Sequence, residues 1–268
     1  MDQRSAAESL APGFSLTLLG TPVVRRIEPG GVEVELVWRL RRALQIVAFL
    51  ALAPDQRAGK EELIEAIWPE ANVEAISRNF HPTLSDARRT LAGGDRRRRD
   101  VIVFRQGIYA LNPEIRWEVD VLRFEQLIAT GREQLAQAEQ GESTLEAALE
   151  SWMAAWRLYR GPLLVESELP WITTRRDDLR RAYLALLADV GRLSARLSQV
   201  TEALDAYRSV LIEEPYEERI HMAVMELYAQ QGRRDLVRRQ YMRLQDLLQE
   251  LDVEPLEEVQ KCYHRLMR

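Results

Sequence analysis

At 268 residues the chain is long enough for two domains of ordinary size. Its apolar fraction of 46% and charged fraction of 29% are those of a soluble globular protein, and a net charge of −5 excludes a uniformly basic nucleic-acid binder but not a local basic patch. One cysteine (Cys262) excludes an internal disulfide framework and a cysteine-rich zinc site. The three histidines (His81, His221, His264) show no metal-ligand spacing, so neither a metal nor a cofactor is expected.

Residues 1–12 carry Asp2 and Glu8, lack an apolar signal core and read as a disordered lead-in. Residues 14–19, 23–27 and 32–36 are rich in β-branched and apolar side chains. They are separated by Gly20-Thr21-Pro22 and Pro29-Gly30-Gly31, which predicts three short antiparallel strands. Three helices are predicted next. The first covers 39–53 and stops before Pro54. The second covers 60–68, with Leu63, Ile64 and Ile67 inward, and stops at Pro69. The third covers 75–92, with Phe80, Leu84, Ala87 and Leu91 on one face, and ends at Gly93-Gly94. Residues 101–104 and 108–111, joined by Arg105-Gln106-Gly107, read as a hairpin.

From Pro113 on, the pattern is helical, broken at Gly141, Gly161-Pro162, Pro170, Pro215, Gly232 and Pro255. Strands followed by runs of helices argue against a parallel α/β fold. Ala203, Tyr207 and Pro215, with Gly191 twelve residues before Ala203, have the spacing of a tetratricopeptide unit. Adding 34 residues gives Val237 and Tyr241, and Ala148, Trp152 and Ala155 form a weaker third copy. A chance-periodic helical bundle is the alternative. The fold expected is therefore an α+β head over 13–112 and an all-α body over 113–268.

Charge divides in the same place. Residues 1–112 hold 16 basic and 14 acidic side chains, and residues 113–268 hold 21 and 28. The excess positive charge is concentrated between residues 75 and 111, with 8 basic and 3 acidic. With Phe80, Leu84, Ala87 and Leu91 inward, a regular helix turns Arg78, Pro82, Ser85, Asp86 and Arg89 outward, flanked by Asn79, His81, Thr83 and Arg88. A short polar helix face bearing arginine fits the major groove. Arg78 and Arg89 suit guanine or phosphate, and Asn79 suits adenine. Asp86 suits cytosine N4 as an acceptor, or else orients an arginine or repels phosphate. Pro82 removes a helical hydrogen bond, which predicts either a kink or a helix that starts near Pro82. Arg96, Arg97, Arg98 and Arg99, before the hairpin, read either as a phosphate-neutralising loop or as a solvated charge run.

In order along the chain, Lys60-Glu61-Glu62-Leu63-Ile64-Glu65-Ala66-Ile67-Trp68-Pro69, the segment from Ser77 through Leu91, and Arg105-Gln106-Gly107-Ile108-Tyr109-Ala110-Leu111 form one set of motifs. Leu158-Tyr159-Arg160-Gly161-Pro162-Leu163-Leu164, Glu214-Pro215-Tyr216-Glu217-Glu218-Arg219-Ile220-His221, Gln231-Gly232-Arg233-Arg234-Asp235 and Leu251-Asp252-Val253-Glu254-Pro255 form a second. With both sets, the chain resembles bacterial transcriptional activators of the antibiotic-regulatory type. The resemblance implies an OmpR-like winged helix over 13–112 and a bacterial transcriptional activation domain with tetratricopeptide-like helices over 113–268. It also implies a cytoplasmic, sequence-specific binder of promoter DNA that contacts the sigma or alpha subunit of RNA polymerase. The family habit of binding repeated sites implies a homodimer on DNA, with a monomer in solution equally compatible. The recognition helix would supply Arg78, Asn79, His81, Thr83, Ser85, Asp86, Arg88 and Arg89. The wing would lay Arg105 and Gln106 on the backbone or minor groove. Relatives often carry a basic residue near Asp86, so base readout departs from the family pattern there.

Catalytic signatures of hydrolases, phosphate-binding enzymes and zinc proteases are absent from the sequence, so no enzyme is expected. No apolar run reaches membrane-spanning length, so no membrane partner is expected. The rival function is a protein-interaction adaptor, in which the helical array binds a partner and the winged helix does not bind DNA.

Overall fold

The computed structural model describes residues 13–93, 100–141 and 143–268. The lead-in over 1–12 and the run Arg96, Arg97, Arg98 and Arg99 lie outside the described residues. The chain divides into two compact units. The first comprises the described residues up to Gln126 together with Leu158–Leu179, and the second Leu127–Arg157 with Arg180–Arg268.

In the first unit the predicted strands are β1 (Gly13–Thr17), β2 (Val23–Ile27) and β3 (Glu33–Glu35). Then come α1 (Arg41–Leu52), a single 3-10 turn at Pro54–Gln56, β4 (Arg57–Gly59), α2 (Lys60–Ile67), α3 (Val73–Ala92), β5 (Ile102–Arg105), β6 (Ile108–Leu111) and β7 (Arg116–Val119). One sheet has the order β3-β2-β1-β7 and the other β4-β6-β5. Two strands depart from the sequence reading. β7 falls where helix was expected throughout and pairs parallel with β1, Phe14 opposite Trp117 and Leu16 opposite Val119. β4 is three residues long and completes the second sheet against β6.

A half-buried acid closes the first sheet. Asp120 begins α4 (Asp120–Glu139), and its carboxylate accepts from the backbone N–H groups of Leu18 and Leu19, both at 2.9 Å, and of Val121 at 2.8 Å. Leu18 and Leu19 are fully buried, so these donors have no water to fall back on. Burial pushes the Asp120 carboxyl up, while the three N–H groups and the Arg160 guanidinium pull it down.

Residues 158–179 pack in this unit. Leu19 bridges Leu163, Leu164 N–H donates to Leu18 O, and Gly20 N–H donates to Pro162 O. Arg176 ties the segment together by donating to the carbonyls of Leu163, Leu164 and Ser167. The segment also reaches α1. Gln45 Nε2 donates to Ser167 Oγ at 2.7 Å, Arg41 holds the Glu166 carbonyl and carboxylate, and Phe49 meets Trp171 edge-on at 5.1 Å.

The second unit is all helix. It holds the later part of α4, most of α5 (Leu145–Leu158), the later part of α6 (Pro170–Arg196), α7 (Val200–Glu213), α8 (Glu218–Gln230), α9 (Arg234–Gln249) and α10 (Glu257–Met267). The repeat positions read from sequence are core: Ala148, Trp152, Ala155, Ala203, Tyr207, Val237 and Tyr241 are all buried. Close helix approach explains the spacing. A Cβ on Gly191 would lie 2.6 Å from Tyr207 Cδ1 and 2.7 Å from Cζ, so glycine leaves the room that the ring fills. Gly131 stands to Trp152 in the same way, with a virtual Cβ 3.0 Å from Cε2 and nearer to Nε1 and Cδ1. The Trp152 Nε1–H then donates to Ile128 O at 3.2 Å. Among the described residues, no helix is long and apolar enough to cross a membrane.

Candidate nucleic-acid interface

The candidate reading element is α3. Asn72 caps it, its Oδ1 accepting from Ala75 N–H at 2.9 Å. At the other end Gly93, in the left-handed conformation at φ 61°, donates to the carbonyls of Arg89 and Thr90. That glycine faces the Arg26 guanidinium at a distance no side chain would allow, and Arg26 Nη1 donates to Leu91 O. The helix is therefore clamped at both ends.

Pro82 neither starts nor ends it: α3 is one helix of 20 residues with Pro82 inside. Proline has no N–H, so the carbonyl of Arg78 lacks its helical donor. Around the gap, short side chains bond back onto the helix. Asn79 Nδ2 donates to Ala75 O at 2.8 Å and Thr83 Oγ1 to Asn79 O at 2.7 Å.

The buried stripe is Phe80, Thr83, Leu84, Asp86, Ala87, Leu91 and Ala92. It contains all four expected core positions. It also contains two residues that the idealised helix placed outward or on the flank. Thr83 is 5% exposed and Asp86 3%. The outward face is accordingly narrower than expected: Arg78, Asn79, His81, Pro82, Ser85 and Arg89 are exposed, and Arg88 is half-buried. Thr83 is turned inward, and its hydroxyl donates to the helix's own Asn79 carbonyl. Asp86 is turned inward with Oδ1 2.5 Å from Arg89 Nη2. Both are buried.

Arg88 ties this helix to the wing, its Nε donating to Ile102 O at 2.9 Å. Phe80 is the hub of the junction. Its ring lies 6.0 Å from Trp68 and 5.6 Å from Tyr109, with Lys60 Nζ 5.8 Å above it. Lys60 N–H donates to Gly107 O, which attaches the start of α2 to the hairpin turn. The β5–β6 turn is Gln106-Gly107, both at positive φ (51° and 83°), which matches the twist of the flanking strands. Arg105 and Gln106 are exposed at its tip. They are flanked by Phe104, 49% exposed, and Ile108, 40% exposed. The sequence reading passed over these two apolar neighbours. Alternation turns Ile108 away from Tyr109, whereas Phe104 is opposed to Tyr109 across the hairpin and shares its face, the ring centroids 4.4 Å apart. Among the described residues no group of three or more histidine, cysteine or acidic side chains is arranged to hold a metal.

The family description "Bacterial transcriptional activator domain" matches residues 119–267. The chain belongs to this family. The family is one of transcriptional regulators, not an enzyme class, and the antibiotic-regulatory type read from the motifs stands with it. The chain is 23% identical over 227 residues to the transcriptional regulatory protein MoaR1 of Mycobacterium tuberculosis, covering 83% of this chain and 71% of that one. The same protein of Mycobacterium bovis gives the same figures. Among solved structures, EmbR of Mycobacterium tuberculosis, in complex with a low-affinity phosphopeptide, superposes with a TM-score of 0.72 at 20% identity. That match covers 96% of this chain but 65% of that one, so this member of the family spans less than two thirds of EmbR. The likeness agrees with the fold described here, a winged helix followed by tetratricopeptide-like helices.

Proposed function

We propose that this family member is a sequence-specific DNA-binding activator that reads promoter repeats with α3 and contacts RNA polymerase with its helical unit. One observation carries the DNA half of this reading: Arg78, His81, Ser85 and Arg89 lie one turn apart along the exposed side of α3, opposite a fully buried stripe. A helix of that kind enters a major groove with its arginines able to fork onto guanine O6 and N7. Arg105 and Gln106 on the wing tip, and Arg96 to Arg99 before β5, neutralise phosphates and fix register. Polymerase contact and pairing of two copies on repeated sites rest on the family alone. The likeness to MoaR1, a transcriptional regulatory protein, supports the same reading.

The test uses the full chain. Binding duplexes are selected from randomised double-stranded DNA, and affinity is followed across a salt series. Wild type is expected to show steep salt dependence and a sequence preference, both reduced in Arg78→Ala and Arg89→Ala. If both variants keep wild-type affinity and preference, α3 is not the reading element. Absence of salt-sensitive binding in wild type would favour a protein adaptor.

A further inference from the structure

Asp86 is an unusual acid. Its side chain is 4% exposed, yet it sits one turn before Arg89, whose side chain is 64% exposed. Oδ1 accepts from Arg89 Nη2, and Oδ2 is buried with no hydrogen-bond partner among the described residues. An ordinary surface pair leaves both ends in water and fixes neither. Here one end is locked into the packed side of α3 and only the other is free. A buried carboxylate is costly without a partner, so the pairing draws Arg89 toward one direction. It uses one of the five guanidinium N–H groups and leaves the rest for a base edge.

Resting on the DNA-binding reading above, we propose that Asp86 is a positioning residue that sets the base specificity of Arg89. Untethered, an arginine on a groove-facing helix is drawn to the nearest phosphate, a contact that carries no sequence information. Tethered by Asp86, Arg89 meets the groove floor already oriented, and reads guanine. The Asp86 charge also opposes phosphate approach, so it weakens binding to unrelated DNA while sharpening discrimination. Asp86 therefore acts through Arg89 and makes no contact with cytosine of its own.

The experiment takes a duplex selected on the full chain and substitutes each base pair in turn. Wild type, Arg89→Ala, Asp86→Asn, Asp86→Ala and the double variant Asp86→Asn/Arg89→Ala are compared. Arg89→Ala is expected to abolish preference at one base pair. Asp86→Asn should lower preference at that same base pair by about tenfold, the size of one good bidentate contact. Asp86→Ala should lose at least as much. Affinity of both Asp86 variants for unrelated DNA should be unchanged or higher, and the double variant should be no worse than Arg89→Ala. An Asp86→Asn chain that keeps the preference overturns the proposal and leaves the DNA-binding reading standing. A parallel loss for all DNA also overturns it, because that marks a packing role. If Arg89→Ala changes no base preference, the assignment of Arg89 as a reader falls, and this proposal with it.

Discussion

Replacing Gly191 by alanine sets two known effects against each other inside one helix. Gly191 lies within α6, where alanine ordinarily stabilises by roughly 0.5–1 kcal/mol because it loses less backbone freedom on folding. The added methyl would enter space held by the Tyr207 ring, 2.6 Å from Cδ1 and 2.7 Å from Cζ. Tyr207 is 3% exposed and packs in a core with Ala203, Leu204 and Leu211. Its ring therefore cannot swing into solvent. Overpacking a tight core costs about 1–3 kcal/mol. The clash exceeds the propensity gain, and a net loss of about 1–2 kcal/mol is expected. Urea denaturation followed by far-ultraviolet circular dichroism reads this as a lower midpoint. The cause is tested in a Tyr207→Leu background, where the ring is gone and Gly191→Ala should be neutral or stabilising. If Gly191→Ala raises the midpoint in the wild-type chain, or costs as much without the Tyr207 ring as with it, the account of this repeat position is wrong.

Asp120→Ala leaves the buried N–H groups of Leu18 and Leu19 without their acceptor and should cost roughly 2–4 kcal/mol, measured by the same denaturation. His221 accepts from Gln240 at Nδ1 and donates from Nε2 to Pro215 O, and burial, with the Arg243 charge, holds its imidazole below the ordinary 6.5. Its contribution is thus complete above 6.5 and lost as pH falls below that value, so His221→Gln should flatten the acid limb of a stability–pH curve; an unchanged limb would exclude it as the cause. Arg105→Ala on the wing tip should lower the slope of log affinity against log salt by about one while sparing sequence preference. A changed preference would mean that the wing reads bases.

Local periodicity made α1, α2 and α3 legible within two residues of their ends, because each has an apolar stripe and a breaker beside it. It did not reveal β7, whose Arg116-Trp117-Glu118-Val119 is stabilised by pairing with β1, about a hundred residues away. Pairing at that distance leaves no mark in a short window. The exposed face of α3 was half legible. Four apolar residues fixed its buried side, but the stripe is wide enough to take in Thr83 and Asp86, whose polar identity argued for the surface. Each is buried beside a partner that sequence does not display, Asn79 O for Thr83 and Arg89 for Asp86. The repeat was legible from Ala203, Tyr207 and Pro215, with Gly191 sixteen residues before Tyr207; Trp152 fell in the weaker third copy, but Gly131, twenty-one residues before it, lies outside that spacing and escaped.

The packing of residues 158–179 against α1 and the residues that follow β1 bears on how such a head is exchanged between proteins. A chain cut after residue 112 would strip Leu18 and Leu19 of the Asp120 carboxylate, Gln45 of its hydroxyl partner and Phe49 of the Trp171 edge. The winged-helix head is thus not a detachable cassette. Recombination that moves it must carry a later stretch of sequence with it, and a hybrid joined after residue 112 inherits an unfinished sheet.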